Sequence, residues 1–131
     1  MKMNPVVHFE MPCEDRDRLV KFYSTAFGWQ MFVAGPEMGN YVVATTTPTD
    51  PTTQRPTTPG AINGGFFQKS DDNKTPSVVI AVDEIKEAMK KVEAAGGKVL
   101  GEPIDIPGVG MYVSFADSEG NKVSILQPSG M

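Results

Sequence analysis

Apolar positions recur along this chain with two distinct periods. Between Arg16 and Phe27, the residues Leu19, Val20, Phe22, Tyr23, Ala26 and Phe27 fall at the i, i+3, i+4, i+7 spacing of a one-sided helix. Asp15 is placed to cap its start and Gly28 to end it. A second stripe of Ile85, Ala88, Met89, Val92 and Ala95 predicts a helix over about 84–95. Asp83 is its expected cap, Gly96 and Gly97 its stop, and Lys86, Glu87, Lys90, Lys91 and Glu93 its solvated face. Shorter runs with a period of two predict strands at 6–11, 30–34, 40–45 and 65–68, and again at 77–82, 98–101, 111–116 and 122–126. The order is strand-helix-strand-strand-strand, twice.

The halves match in punctuation as well as in order. An offset of 69 sets His8 on Ser77, Asp15 on Glu84, Ala26 on Ala95 and Gly28 on Gly97. An offset of 71 then sets Gly39-Asn-Tyr41-Val-Val on Gly110-Met-Tyr112-Val-Ser. Two helices, two glycine stops and two Gly-x-Tyr-Val strands in matching order predict an internal duplication. The modules cover about residues 5–69 and 76–128 of a single domain spanning 1–131. Within the first module, Thr45–Pro59 holds eight Thr and four Pro, which makes it a loop by composition. It is either a tolerated surface insertion or a lid.

Strand parity separates two faces. Val7, Phe9 and Met11 oppose His8 and Glu10; Val78, Ile80 and Val82 oppose Ser77, Val79 and Ala81; Val123 and Ile125 oppose Ser124 and Leu126. One face is apolar and suits an overlying helix, while the other carries the His, the Glu and the serines. Setting Phe67 under the helix puts Phe66 and Gln68 on the polar face. A polar-lined sheet face opposite the helices is where a small ligand would bind.

Composition narrows the classes. The 131 residues include 12 Lys and Arg against 16 Asp and Glu, a formal charge of −4, which argues against a nucleic-acid partner. A single Cys cannot form an internal disulfide, so nothing points to an oxidising compartment. The apolar run after the N-terminus is too short for a signal peptide or a membrane span. The expectation is a cytoplasmic protein with neither membrane nor nucleic-acid partner.

The residues Val6-Val-His-Phe-Glu-Met-Pro12, Asp15, Phe22-Tyr23 and Phe27-Gly-Trp29 resemble the opening module of the vicinal oxygen chelate superfamily, the glyoxalase, bleomycin-resistance and extradiol-dioxygenase group. Val82-Asp-Glu-Ile85, Ala94-Ala-Gly-Gly97, Gly108-Val-Gly110, Phe115-Ala-Asp-Ser-Glu-Gly120 and Leu126-Gln-Pro128 are similar to its second module. The resemblance implies an α+β fold of two tandem βαβββ modules, whose curved, mixed eight-stranded sheet surrounds a cleft with the helices outside. It also implies a homodimer and, in many members, one divalent metal held from the first and fourth strands of each module.

Carried over residue by residue, those ligand positions fall on His8, on Phe67 or Gln68 (Gln68 by the parity above), on Ser77 and on Ser124. Only His8 is a strong ligand, and serine hydroxyls bind divalent ions poorly near neutral pH. The expectation is therefore no tightly bound metal, with Zn, Ni, Mn or Fe at His8 as the alternative. His8 and Glu10, two apart on one strand, are the candidate acid/base pair. Gln68, Ser77, Ser124, Phe66 and Trp29 are candidate substrate contacts, although Phe66 and Trp29 also suit a core. Tyr41 and Tyr112 are read as paired core tyrosines, Met111 and Phe115 as core or cleft residues, and Cys13 as a structural thiol. Two functions remain open. One is a glyoxalase-related lyase or isomerase acting on a small oxygenated molecule. The other is a metal-free protein that binds or sequesters a small molecule, as bleomycin-resistance proteins do.

Overall fold

The computed structural model describes residues 2–129. They form two compact units, residues 8–76 and residues 77–129 together with residues 2–7. Each unit is a four-stranded mixed sheet with one long helix on one face, the α+β architecture that the resemblance implies. Among the described residues, no helix is long and apolar enough to cross a membrane.

The first unit contains β1 (Val6–Cys13, entered at His8), α1 (Arg16–Phe27), β2 (Gln30–Val33), a short 3-10 turn (Pro36–Met38), β3 (Val42–Thr45) and β4 (Asn63–Gln68). Its strand order is β2-β3-β4-β1. β1 and β4 run parallel, and the other neighbouring pairs run antiparallel. The predicted caps of α1 are present. The Asp15 carboxylate accepts from the Arg18 N–H at 3.1 Å. Gly28 adopts φ 71°, a left-handed conformation that lets its N–H close on Ser24 O. Leu19, Val20 and Tyr23 of α1 pack with Phe9, Met11, Trp29 and Met31 over buried Cys13, Val42, Ala44 and Phe66. Burial of a ring such as Phe66 stabilises by about 1.5–3 kcal/mol.

The second unit contains β5 (Ser77–Ala81), α2 (Ile85–Ala94), β6 (Lys98–Ile106), β7 (Gly110–Ala116) and β8 (Lys122–Pro128), ordered β5-β8-β7-β6. Ile85, Ala88, Met89 and Val92 of α2 cover Ile80, Val82, Val99, Met111, Val113, Phe115, Val123 and Ile125. Met111 and Phe115 are thus core residues on the helix side. Two local expectations change. The N-cap of α2 is Glu84, which makes no side-chain cap bond. The N–H of Ile85 is bonded instead by Gln127 Oε1 of β8 at 2.9 Å, so a distant amide does the work expected of Asp83. β6 is also longer than the 98–101 run because its register shifts between Leu100 and Ile104, and the strand continues past that irregularity to Ile106.

Candidate functional site

In the first unit, register determines which side chains share the face away from α1. His8 lies opposite Asn63 and Glu10 opposite Gly65 across β1 and β4. Gly65 lies opposite Val43, and Val43 opposite Phe32. Cross-strand partners share a face, so one row runs Glu10, Gly65, Val43, Phe32 and the next contains His8 and Asn63. On the other face, Phe9, Met11 and Cys13 lie opposite Gly64, Phe66 and Gln68.

This reverses the parity expected for β4. Phe66 is 2% exposed under α1, with its ring centroid 5.3 Å from that of Tyr23 and 6.0 Å from that of Phe9. Gln68 shares that side at the exposed end of the strand, and Phe67 takes the His8 face. Two adjacent phenylalanines offer equal apolar candidates for the core, and the pairing of Phe66 with Met11 selects between them. Trp29 also belongs to the helix side, stacked on Tyr23 at 4.6 Å and 8°.

His8 and Glu10 do share a face, as expected. The Glu10 carboxylate accepts from the Tyr41 hydroxyl at 3.3 Å. Burial lowers the His8 pKa from its ordinary 6.5, because desolvation penalises the imidazolium. The ring is therefore neutral at pH 7 and offers one donor and one acceptor nitrogen. Gly65 makes the Tyr41–Glu10 contact feasible. A Cβ at that position would lie inside the Tyr41 ring and hydroxyl, so the missing side chain is the space in which the phenol sits. Gly64 is matched in the same way to the ring of Phe9 on the other face.

In the second unit, Ser124 lies opposite Val79 on the face away from α2 and is 1% exposed. Ser77 has the same parity, two residues before Val79. Ser124 Oγ is 2.7 Å from the Tyr112 hydroxyl and 3.0 Å from Ser114 Oγ, and in each contact either oxygen can donate. The result is a set of three neutral hydroxyls with Ser124 at its centre.

The residues present do not fit the family's four-ligand metal site. Among the described residues, no group of three or more His, Cys, Asp and Glu is placed to hold an ion. The β4 partners of His8 and Glu10 are Asn63 and Gly65, the Glu10 carboxylate holds Tyr41, and the Ser124 hydroxyl is engaged with two others. Burial also raises the Cys13 thiol pKa, with smaller contributions from the nearby Arg and acidic residues, which suits a structural role.

Sequence reasoning read Tyr41 and Tyr112 as paired core tyrosines, whereas their hydroxyls bond Glu10 and Ser124 on the faces away from the helices, and it passed over Ser114, Asn63 and Gly65. For Tyr41 the signal was available. Val42 and Ala44 alternate as core residues, so Tyr41 takes the opposite face. The identity of its partner was not available, because it depends on the register of three strands.

A two-unit α+β fold with polar side chains opposite each helix is an architecture shared with small-molecule enzymes. Methylmalonyl-CoA epimerase of Streptomyces coelicolor in complex with 2-nitronate-propionyl-CoA superposes with a TM-score of 0.70 at 15% identity, over 99% of this chain and 98% of that one. The Mycobacterium tuberculosis epimerase gives 0.64 at 12% identity, over 95% and 87%. At these identities the likeness concerns the fold alone. Residues 6–125 match the family model of the Glyoxalase/Bleomycin resistance protein/Dioxygenase superfamily, and the chain belongs to that superfamily. It is 32% identical over 126 residues to a glyoxylase-like domain-containing protein of Didymella fabae, covering 92% of this chain and 91% of the relative. It is 42% identical over 52 residues to the putative glyoxylase CFP32 of Mycobacterium bovis, a match spanning 40% of this chain but only 20% of that protein. A third relative, the anthracycline biosynthesis protein DnrV of Streptomyces peucetius, is 29% identical over 86% of this chain and 42% of its own length.

Proposed function

We propose that this chain binds a small oxygenated molecule against the face formed by His8, Glu10 and Tyr41, and moves a proton on it without a metal centre of the family's usual four-ligand kind. The observation that carries this reading is the Tyr41 hydroxyl donating to the Glu10 carboxylate beside a neutral His8. A carboxylate oriented by a phenol and an uncharged imidazole are both proton acceptors at pH 7. A C–H next to a carbonyl would give its proton to one of them, and the same base would return it, which is lyase or isomerase chemistry. Ser77 and Ser124 remain candidate contacts for the substrate, and a homodimer remains the expected assembly. The epimerases among the neighbours and the biosynthetic name of one relative are compatible with a small oxygenated substrate.

A second reading is sequestration without chemistry. It is favoured by the Glu10 carboxylate being already engaged by the Tyr41 hydroxyl, which takes up part of its acceptor capacity. One experiment separates the two. Chelator-treated protein is incubated in D2O with a panel of small ketones, 2-oxo acids and acyl thioesters, and loss of the α-proton signal is followed by NMR. Exchange that survives chelation and disappears in both Glu10→Gln and His8→Ala is the expected result. Saturable binding with no exchange for any compound would establish the sequestering function instead.

A further inference from the structure

The Thr- and Pro-rich segment after β3 is an internally bonded hairpin. Thr49 and Pro56 form an antiparallel bridge. Asp50 N–H donates to Arg55 O at 2.9 Å, Gln54 N–H to Asp50 O at 2.8 Å and Thr57 N–H to Pro48 O at 2.9 Å. The Asp50 carboxylate accepts from the N–H groups of Thr52 and Thr53 and shapes the tip. With its ends bonded to each other in this way, the hairpin is joined to the sheet through its neck. The Asn63 and Thr46 side chains hold that neck. Asn63 Oδ1 accepts from Thr46 N–H at 2.8 Å, and Asn63 Nδ2 donates to Thr49 Oγ1 at 2.9 Å. Thr46 Oγ1 completes the clamp by donating to Ile62 O at 2.6 Å. Asn63 is also the register partner of His8, on the same sheet face.

We propose that Asn63 is a positioning residue: by clamping the neck of the 46–62 hairpin at the strand position beside His8, it makes that hairpin a specificity-determining wall of the His8 face. The proposal rests on the reading that this face takes the ligand. Physically, an Asn with both amide ends bonded fixes two points of the neck and so removes the hinge freedom a two-residue attachment would leave. The hairpin then restricts which molecules reach His8 by their bulk, without touching the reacting atoms.

The test needs no substrate, because His8 is the only histidine in the chain. Diethyl pyrocarbonate modification, read as the 240 nm absorbance of carbethoxyhistidine, reports access to that ring alone. Hydrogen exchange by mass spectrometry reports the hairpin amides of Asp50, Gln54 and Thr57. Both are measured on wild type, Asn63→Ala and Thr49→Val; the last removes one end of the clamp without altering any strand of the sheet. The expected result is a several-fold faster modification of His8 in both variants, together with faster exchange confined to residues 46–62. Faster hairpin exchange with an unchanged His8 rate would overturn the proposal and leave the hairpin a surface insertion. An unchanged rate of both would overturn the clamp itself. Failure of the underlying reading would show separately, as absent binding and proton exchange in the wild-type protein.

Discussion

Gly65→Ala tests the geometry of the site most directly. Its backbone is not in the left-handed region, so alanine is tolerated locally and the perturbation is steric alone. Ordinary contact begins near 3.4 Å, and the new Cβ would stand well inside that distance from the Tyr41 hydroxyl and ring. The ring must retreat by about 1 Å or more. Starting from 3.3 Å, the bond to Glu10 then lengthens past about 4 Å and is lost. Overpacking of this kind costs about 1–3 kcal/mol. A hydrogen bond to a charged group contributes about 1.5–3 kcal/mol, and the low end applies because both partners are only half-buried. The sum is about 2.5–4.5 kcal/mol, a Tm loss on the order of 10 °C for a chain of this length. Urea titration of wild type, Gly65→Ala, Tyr41→Ala and the double variant checks it. With the Tyr41 ring gone, the alanine has nothing to strike, so Gly65→Ala should cost less than about 1 kcal/mol in that background. Additive costs would show that the glycine is not the seat of Tyr41 and would refute the reasoning.

Further outcomes follow from single contacts. His8→Asn should flatten the pH dependence of stability. The folded pKa lies below the unfolded 6.5, so the unfolded chain binds more protons in that window, and wild-type stability falls as pH drops from about 7 toward the lowered value; equal slopes in both proteins by urea titration would contradict it. Ser124→Ala leaves the Tyr112 and Ser114 hydroxyls without their shared partner and should cost about 1–3 kcal/mol, read by the urea midpoint. Gln127→Ala uncaps α2 and should cost about 1 kcal/mol, with faster amide exchange in the first turn from Ile85. Asp117 accepts from the side chain and N–H of Asn121 and from Glu119 N–H, bonds that hold its carboxyl below 3.8. Its stabilisation is present above that ordinary value and lost as pH falls through the lowered one, so Asp117→Asn should remove part of the acid limb of the stability curve below about pH 4.

What the residues disclosed depends on the range of the interaction that decides each feature. The first helix was legible to its end residues because its signals are local: an Asp before Arg16, a six-residue stripe and a Gly that takes the left-handed conformation. The start of the second was displaced by one residue because its cap is long-range, an amide from β8 in place of Asp83. The parity of β1 was legible because His8 and Glu10 alternate with three apolar residues. The parity of β4 was not, because Phe66-Phe67 carries no alternation and only the pairing with Met11 assigns its faces. Parity located His8, Ser77 and Ser124 on the faces opposite the helices, and the resemblance marked them as ligand positions. Neither supplied the Tyr41–Glu10 contact or the role of Gly65, since these depend on the register of strands far apart in sequence.

The two modules copy each other's frame but not each other's chemistry. Tyr41 and Tyr112 stand at matching positions of the repeat, and each turns its phenol away from the helix of its own unit. One donates to a carboxylate on the first strand of its unit; the other bonds a serine on the last strand of its unit. At the offset of 69, the position matching Glu10 is Val79, buried at 3% exposure. The second module thus has no carboxylate at the matching position and uses neutral hydroxyls at Tyr112, Ser114 and Ser124. A symmetric metal site requires both modules to contribute charged or strongly basic ligands at equivalent positions. Here, of the four carried-over ligand positions, His8 in the first module is the one titratable group, and Gln68, Ser77 and Ser124 are neutral. The second module's face carries the Tyr112, Ser114 and Ser124 hydroxyls, with Lys122 and Lys98 in the row at its end.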